Sequence, residues 1–225
     1  MNQALPLFFF EREASETSTS TQYASLVPEI TKLLTQHHQI YTSQCKAELW
    51  EEVCAIALRR CGFGSDWKPD FNHIPGIDQT TGDGVRIGNK GGKFKGKSKK
   101  LALLSENLTT LTFSGSRMTR FKTLTEKIEF LSDQKEDYIF CLATTEHWDY
   151  FHPVYYFIVL DSKDLDYVSG TWEEINGSRK TNKSSIVGYR YTGLNFTANI
   201  QKSLSDQLWT QIDKTLFKEM YEIVI

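Results

Sequence analysis

With 225 residues, 40% of them hydrophobic and 13% aromatic, the chain can bury a sizeable core as one domain or one domain with an appendage. A formal net charge of −2 excludes a wholly basic nucleic-acid coat protein, while leaving room for an enzyme that meets nucleic acid through one basic groove. The N-terminal apolar run, Leu7 to Phe10, is too short for a secretion signal or a membrane span. The four cysteines, Cys45, Cys54, Cys61 and Cys141, form no CxxC. The expectation is a cytoplasmic, soluble protein with reduced thiols.

Residues 1–10 predict a short strand, and the Ser/Thr/Glu-rich stretch to Thr21 a surface loop ending in a helix cap. Tyr23, Leu26, Val27, Ile30, Leu33 and Leu34 recur at helical spacing and predict a helix over Thr21 to Gln36, with Pro28 near its first turns. Leu49, Val53, Ile56 and Ala57 mark a second helix after Ser43 that ends at Gly62, and its polar face carries Glu48, Glu51 and Glu52. A proline-punctuated loop follows, and then Ile77-Asp78, a Gly82-Asp83-Gly84 turn and the β-type run Val85-Arg86-Ile87, which predict a hairpin. Six lysines fall between Lys90 and Lys100, a local density that reads as a phosphate-facing surface or as a solvated loop.

Leu101 to Leu104 and Leu108 to Phe113 predict two strands. The second opens into Ser114-Gly115-Ser116-Arg117-Met118-Thr119-Arg120, where hydroxyls, backbone amides and arginines suit phosphate oxygens. Thr123 and Glu126 form a capping box for a third helix, and the runs 137–143 and 154–160 are apolar enough for strands buried on both faces. Residues 170–193 read as polar, glycine-spotted loops mixing Trp172, Tyr189 and Tyr191 with Arg179, Lys180, Lys183 and Arg190, a composition suited to base and phosphate contact. Leu208, Ile212 and Leu216 predict a last amphipathic helix over Ser205 to Phe217.

Two chemistries compete for the lysine-rich run. Gly91 to Ser98 satisfies GxxxxGK[ST], which would make Lys97 the lysine of a phosphate-cradling loop and Asp161 the acid at the tip of a magnesium-holding strand. Alternatively Asp78 holds one or two divalent ions against a phosphodiester, and Lys90 on the adjacent strand polarises the attacking water or steadies the developing charge. A non-catalytic nucleic-acid-binding protein would need only the basic run and the aromatic loops.

The order Ile77-Asp78, turn, Val85-Arg86-Ile87-Gly88-Asn89-Lys90, then a strand ending in Ser-Gly-Ser-Arg, a capped helix and two buried strands, resembles the PD-(D/E)xK nucleases. Within them it is most similar to a small type II restriction endonuclease, over roughly Glu48 to Asp161. The resemblance implies a mixed central β-sheet flanked by helices, a restriction-endonuclease-like α/β fold, with Asp78 and Lys90 on neighbouring strands. It also implies Mg2+ as cofactor, double-stranded DNA as substrate and a homodimer matched to a palindromic site. One domain is expected over 1–225: a helical part to 62, a catalytic sheet core over 63–161, and DNA-contacting loops with a C-terminal helix beyond. The pattern wants an acid two residues before the lysine, where this chain has Gly88. Asp83 in the turn or Glu52 on the second helix is the expected substitute, so Asp78, Asp83 and Glu52 are the expected metal ligands. Lys93, Lys95, Lys97, Ser114, Ser116, Arg117, Thr119, Arg120, Arg179, Lys183 and Arg190 are the expected DNA contacts.

Overall fold

The computed structural model describes residues 21–69, 77–96, 108–133, 135–146, 148–177 and 185–225. The predicted strands over 1–10 and 101–104, and Lys97, Arg179 and Lys183, lie outside them. The described residues form a mixed α/β structure: three helices and one ten-stranded sheet. The helices are α1 (Leu26–Ile40), α2 (Ala47–Arg60) and α3 (Leu124–Ser132). The strands are β1 (Gln79–Thr80), β2 (Arg86–Gly96), β3 (Leu108–Arg117), β4 (Tyr138–Thr145), β5 (Val154–Asp161), β6 (Thr171–Asn176), β7 (Ile186–Thr192), β8 (Phe196–Gln201), β9 (Gln207–Asp213) and β10 (Phe217–Val224). Their order is β10-β5-β4-β2-β3-β9-β8-β7-β6, with β1 on β2, and only β2 and β4 run parallel.

Local chemistry fixes the helix ends. Thr123 Oγ1 accepts from the Glu126 amide while the Glu126 carboxylate accepts from the Thr123 amide, the predicted capping box. Gly62 follows α2 at φ +85°, where a side chain would be strained. The apolar stripes of α1 and α2 cover one sheet face. There Trp50, buried to 1% exposure, packs edge-on against Phe157 and donates from Nε1 to the Phe140 carbonyl at 3.0 Å. The other face carries a second buried cluster in which Phe113, Ile139 and Ile158 meet Tyr191, Phe196 and Ile200, with Leu131 of α3. Each fully buried aliphatic or aromatic side chain contributes about 1.5–3 kcal/mol relative to exposure.

The C-terminal third departs from expectation. Residues 207–213 form β9 instead of a helix: Leu208, Thr210 and Ile212 are buried while the residues between them are less so, and the strand pairs with β3 and β8. Leu208 and Ile212 stand four apart, a spacing that fits both one helical face and every second strand position, and ladder partners on both sides settle it. Much of 170–193, expected as loops, is the β6–β7 hairpin. Tyr189 and Tyr191 alternate inward, and Tyr191 packs between Gly170 and Gly193, where any Cβ would approach its ring within 2.5–2.7 Å.

Candidate active site

The site is built where β2 changes partners. On one edge β2 pairs with β4 from Ile87 through Phe94. On the other it pairs with β1 at Arg86 and Ile87 and with β3 from Gly92 onward, so β1 and β3 part company across Gly88 to Gly91. Asp78, just before β1, closes this gap. Its amide donates to the Ile87 carbonyl at 2.9 Å, and its carboxylate accepts from the Asn89 amide, replacing a ladder bond that no strand supplies. The same carboxylate oxygen, Oδ2, lies 3.5 Å from Lys90 Nζ, with side-chain exposures of 14% for Asp78 and 18% for Lys90. The predicted aspartate–lysine pair therefore exists and is largely desolvated.

The two-residue period of β2 decides what else shares this environment. Gly92 and Phe94 fall on the face of Lys90; a Cβ on Gly92 would stand 2.6 Å from Cys141 Sγ and 2.8 Å from Leu111 Cδ1, so only glycine fits between β4 and β3. Lys93 and Lys95 point to the opposite face. By register Ser114 and Arg190 lie there too, through Lys93 opposite Thr112, Ser114 opposite Trp209, Trp209 opposite Asn199 and Asn199 opposite Arg190. These four expected DNA contacts are thus not gathered with Lys90. Ser116 is: beyond the irregularity between Ser114 and Arg117 it lines a cleft with Lys90, Phe113, Lys135, Glu136 and Tyr167. Arg117, Thr119 and Arg120 are exposed on the turn that follows.

Neither expected substitute for the missing acid joins the pair. Asp83 is exposed in the β1–β2 turn, where it accepts from Thr81 Oγ1 and acts as a turn former. Lys90 stands four residues into β2 from Arg86, about 13 Å along the strand at some 3.3 Å per residue, beyond the turn that holds Asp83. Glu52 is exposed on α2. Its neighbour Glu51 is half-buried, and Glu51 and Asp78 both add to the rise of the Cys54 thiol, which burial already pushes well up.

Two carboxylates that sequence reading did not single out line the cleft: Asp133, which is exposed and pairs with Lys135 at 3.6 Å, and Glu136, which is half-buried. Glu136 is the one that Asp78 and Lys90 influence. Burial raises its carboxyl above the ordinary range, Lys90 pulls it back, and Asp78 adds to the rise, so all three groups act on one another. Its place is fixed from two sides. Arg86 donates to the Asp137 carboxylate from its amide, Nε and Nη2 at 2.8–3.1 Å, and Asp137 returns its amide to the Arg86 carbonyl at 2.8 Å. Ser162 Oγ donates to the Glu136 carbonyl. The signal in sequence was only one acid in the turn leading into β4; register sets Lys90 opposite Cys141, and Glu136 meets Lys90 through the lining of the cleft.

Gly91 to Gly96 are paired strand, with β4 on one side and β3 on the other from Gly92, so they do not form the loop that a phosphate cradle requires. Asp161, the acid assigned to that reading, caps the turn after β5 by accepting from the Lys163 amide. Among the described residues no three His, Cys, Asp or Glu side chains cluster to hold a metal ion, the four cysteines are free, and no helix is long and apolar enough to cross a membrane. Comparison of the chain with protein-family models, with curated proteins and with solved structures finds no match.

Proposed function

We propose that the protein is a Mg2+-dependent endonuclease of double-stranded DNA, of the PD-(D/E)xK type and with a restriction-endonuclease-like fold, acting as a homodimer. The observation that carries this reading is the desolvated Asp78–Lys90 pair at 3.5 Å, set where β1 and β3 diverge from one edge of β2. A carboxylate that bridges a strand gap for structural reasons alone has no need of a lysine. A lysine half-buried in a cleft beside Phe113 and Ile139, and paired with a half-buried carboxylate, is an arrangement that a functional site accounts for.

The donor set fits magnesium. Mg2+ takes hard oxygen ligands and is commonly held by one or two carboxylates, with water and substrate phosphate completing the shell. Asp78 and Glu136 supply two carboxylates within electrostatic reach of each other, in place of the Asp83 and Glu52 expected from sequence. When bound, the ion would supply Lewis-acid activation of the scissile phosphate and of a water molecule. The chain's own contribution is positional and electrostatic. The Asn89 amide orients the Asp78 carboxylate, and Lys90 Nζ offers a positive charge to the pentavalent phosphate as it forms. Ser116 lines the same cleft and would serve as a hydroxyl donor for a non-bridging oxygen.

Gly88, which leaves β2 without the expected acid, favours one rival: a nucleic-acid-binding module without catalysis. Incubation of supercoiled plasmid and of phage DNA with magnesium or with EDTA separates the two. Magnesium-dependent cleavage abolished by Asp78→Ala and by Lys90→Ala is the expected result; intact DNA together with undiminished, metal-independent binding would replace the nuclease with the binding module.

A further inference from the structure

Lys127, on the inner face of α3, is 1% exposed, and it is the one lysine classed as buried among the described residues. Its ammonium donates to the Met118 carbonyl at 2.9 Å and to the Phe121 carbonyl, and it lies 3.5 Å from Asp206 Oδ2. Asp206 answers from the β8–β9 connection. Its carbonyl accepts from the Met118 amide at 3.2 Å, and it and Ser205 both hold left-handed backbone, φ +50° and φ +58°. Two non-glycine residues in that region cost strain that the surroundings must outweigh, and the ion pair and the Met118 amide bond tie this connection to α3 and to the end of β3. The Met118 amide also brings the β3 end against this connection, and Met118 itself is fully buried.

The segment so pinned is the basic turn after β3. Around buried Met118 it exposes Arg117, Thr119, Arg120 and Lys122. Arg117 Nε is directed by Gln207 Oε1 at 3.2 Å, and the Arg120 guanidinium stacks over Phe121 at 4.7 Å and Phe130 at 4.9 Å. Both arginines are thus held by neutral partners, and no salt bridge to either forms among the described residues. Phe130 and Leu131 of the same α3 line the cleft that contains Lys90, so the turn borders the proposed site directly.

We infer that residues 117–122 form a preorganised clamp for the phosphate backbone of duplex DNA, and that Lys127 is its positioning residue, acting through the turn without touching DNA. This rests on the nucleic-acid reading above. A backbone clamp binds through counterion release, so each phosphate contact adds about 0.9 to the slope of log Kd against log salt. Rigid presentation avoids ordering a mobile loop on binding.

The test is fluorescence anisotropy of a labelled mixed-sequence 30-mer duplex in EDTA, over a series of KCl concentrations, with thermal melts of every variant. Arg117→Ala/Arg120→Ala should lower the salt slope by about 2 per bound protomer with an unchanged melt. Lys127→Met should lower it by between about 1 and 2 per bound protomer and weaken binding at least tenfold at low salt. Asp206→Asn, which keeps the ammonium and the backbone bond, guards against a misfolded methionine variant and should fall between Lys127→Met and wild type in slope. A Lys127→Met protein that folds and keeps the wild-type slope would overturn the positioning role, and an arginine double variant with the wild-type slope would overturn the clamp. Wild-type protein that does not bind the duplex would instead remove the nucleic-acid reading on which both stand.

Discussion

A double-mutant cycle on Asp78 and Lys90 separates a functional pair from a structural one. At 3.5 Å and an effective dielectric near 20 the gross attraction is about 5 kcal/mol, and desolvation of the two charges offsets most of it. Neutralising one partner strands the other in a site that water barely reaches. For fully buried pairs that costs about 3–5 kcal/mol, and with 14% and 18% exposure, and with the Asn89 amide still bonded to Asp78, about 2 kcal/mol is expected for Lys90→Met. In a chain of this length that lowers the melting temperature by roughly 4–8 °C. Asp78→Asn/Lys90→Met, which removes both charges, should recover most of the loss, a coupling of about 1.5 kcal/mol read by urea denaturation. Cleavage behaves oppositely: each single variant should lose at least 100-fold, and the double should recover none of it. Single variants within 0.5 kcal/mol of wild type would show that the ions are not desolvated as a pair, and a double variant that regained cleavage would show that the pair only holds the fold.

Three further outcomes follow from the same geometry. Glu136→Gln should raise stability at neutral pH while lowering cleavage. Because burial raises the folded carboxyl above its unfolded value, the wild type loses stability as pH rises from the unfolded value through the folded one, so the variant's advantage should grow over that interval in a pH series of denaturation curves. Asp137→Asn should cost about 1 kcal/mol, discounted because Arg86 and Asp137 are more than a third exposed. Arg86 holds the Asp137 carboxyl below its ordinary value, so that stability is present above about pH 4, and the gap between the two proteins should close as pH falls through the lowered value. Gly92→Ala should cost about 1–3 kcal/mol through the clash with Cys141 Sγ, and Cys141→Ala in the same protein should restore part of it in thermal melts.

The sequence is legible wherever local chemistry decides structure. The Thr123–Glu126 box, the Gly62 stop and the hairpin around Asp83 are set by hydrogen bonds and backbone angles within a few residues, and each forms where the pattern predicts it. Boundaries drift where capping is weak: α1 runs from Leu26 to Ile40, shifted toward the C-terminus of the Thr21–Gln36 window, and no side chain caps its start. The C-terminal strands were hidden for a different reason. The Leu208–Ile212 spacing serves two periods equally, and the partners that choose between them, β3 and β8, are remote in the chain or read as loop. The pair Asp78 and Lys90 was found because turn and strand put them on adjacent segments. Which lysines accompany Lys90 was not, because a run of alternating Gly and Lys has no apolar member until Phe94 to tell inside from outside.

On the proposed nuclease reading, a second carboxylate has to come from outside β2. On β2 the expected position, Gly88, has no side chain, and the hairpin cannot replace it because Asp83 is spent on its own turn. The neighbouring strand can. The segment leading into β4, which runs parallel to β2 and begins at Tyr138 opposite Ile87, carries Glu136 two residues upstream, and Glu136 lines the cleft with Lys90. Parallel pairing needs a long crossover, here filled by β3 and α3, and those two elements bring the remaining walls of the cleft: Ser116 from the end of β3, and Phe130 from α3 beside the turn that Lys127 holds. One crossover thus positions the second carboxylate, the hydroxyl wall and the basic turn together. On the proposed nuclease reading, Glu136 in the turn before β4 is the carboxylate available to stand in for the acid absent at Gly88, with Asp78 and Lys90 left in place.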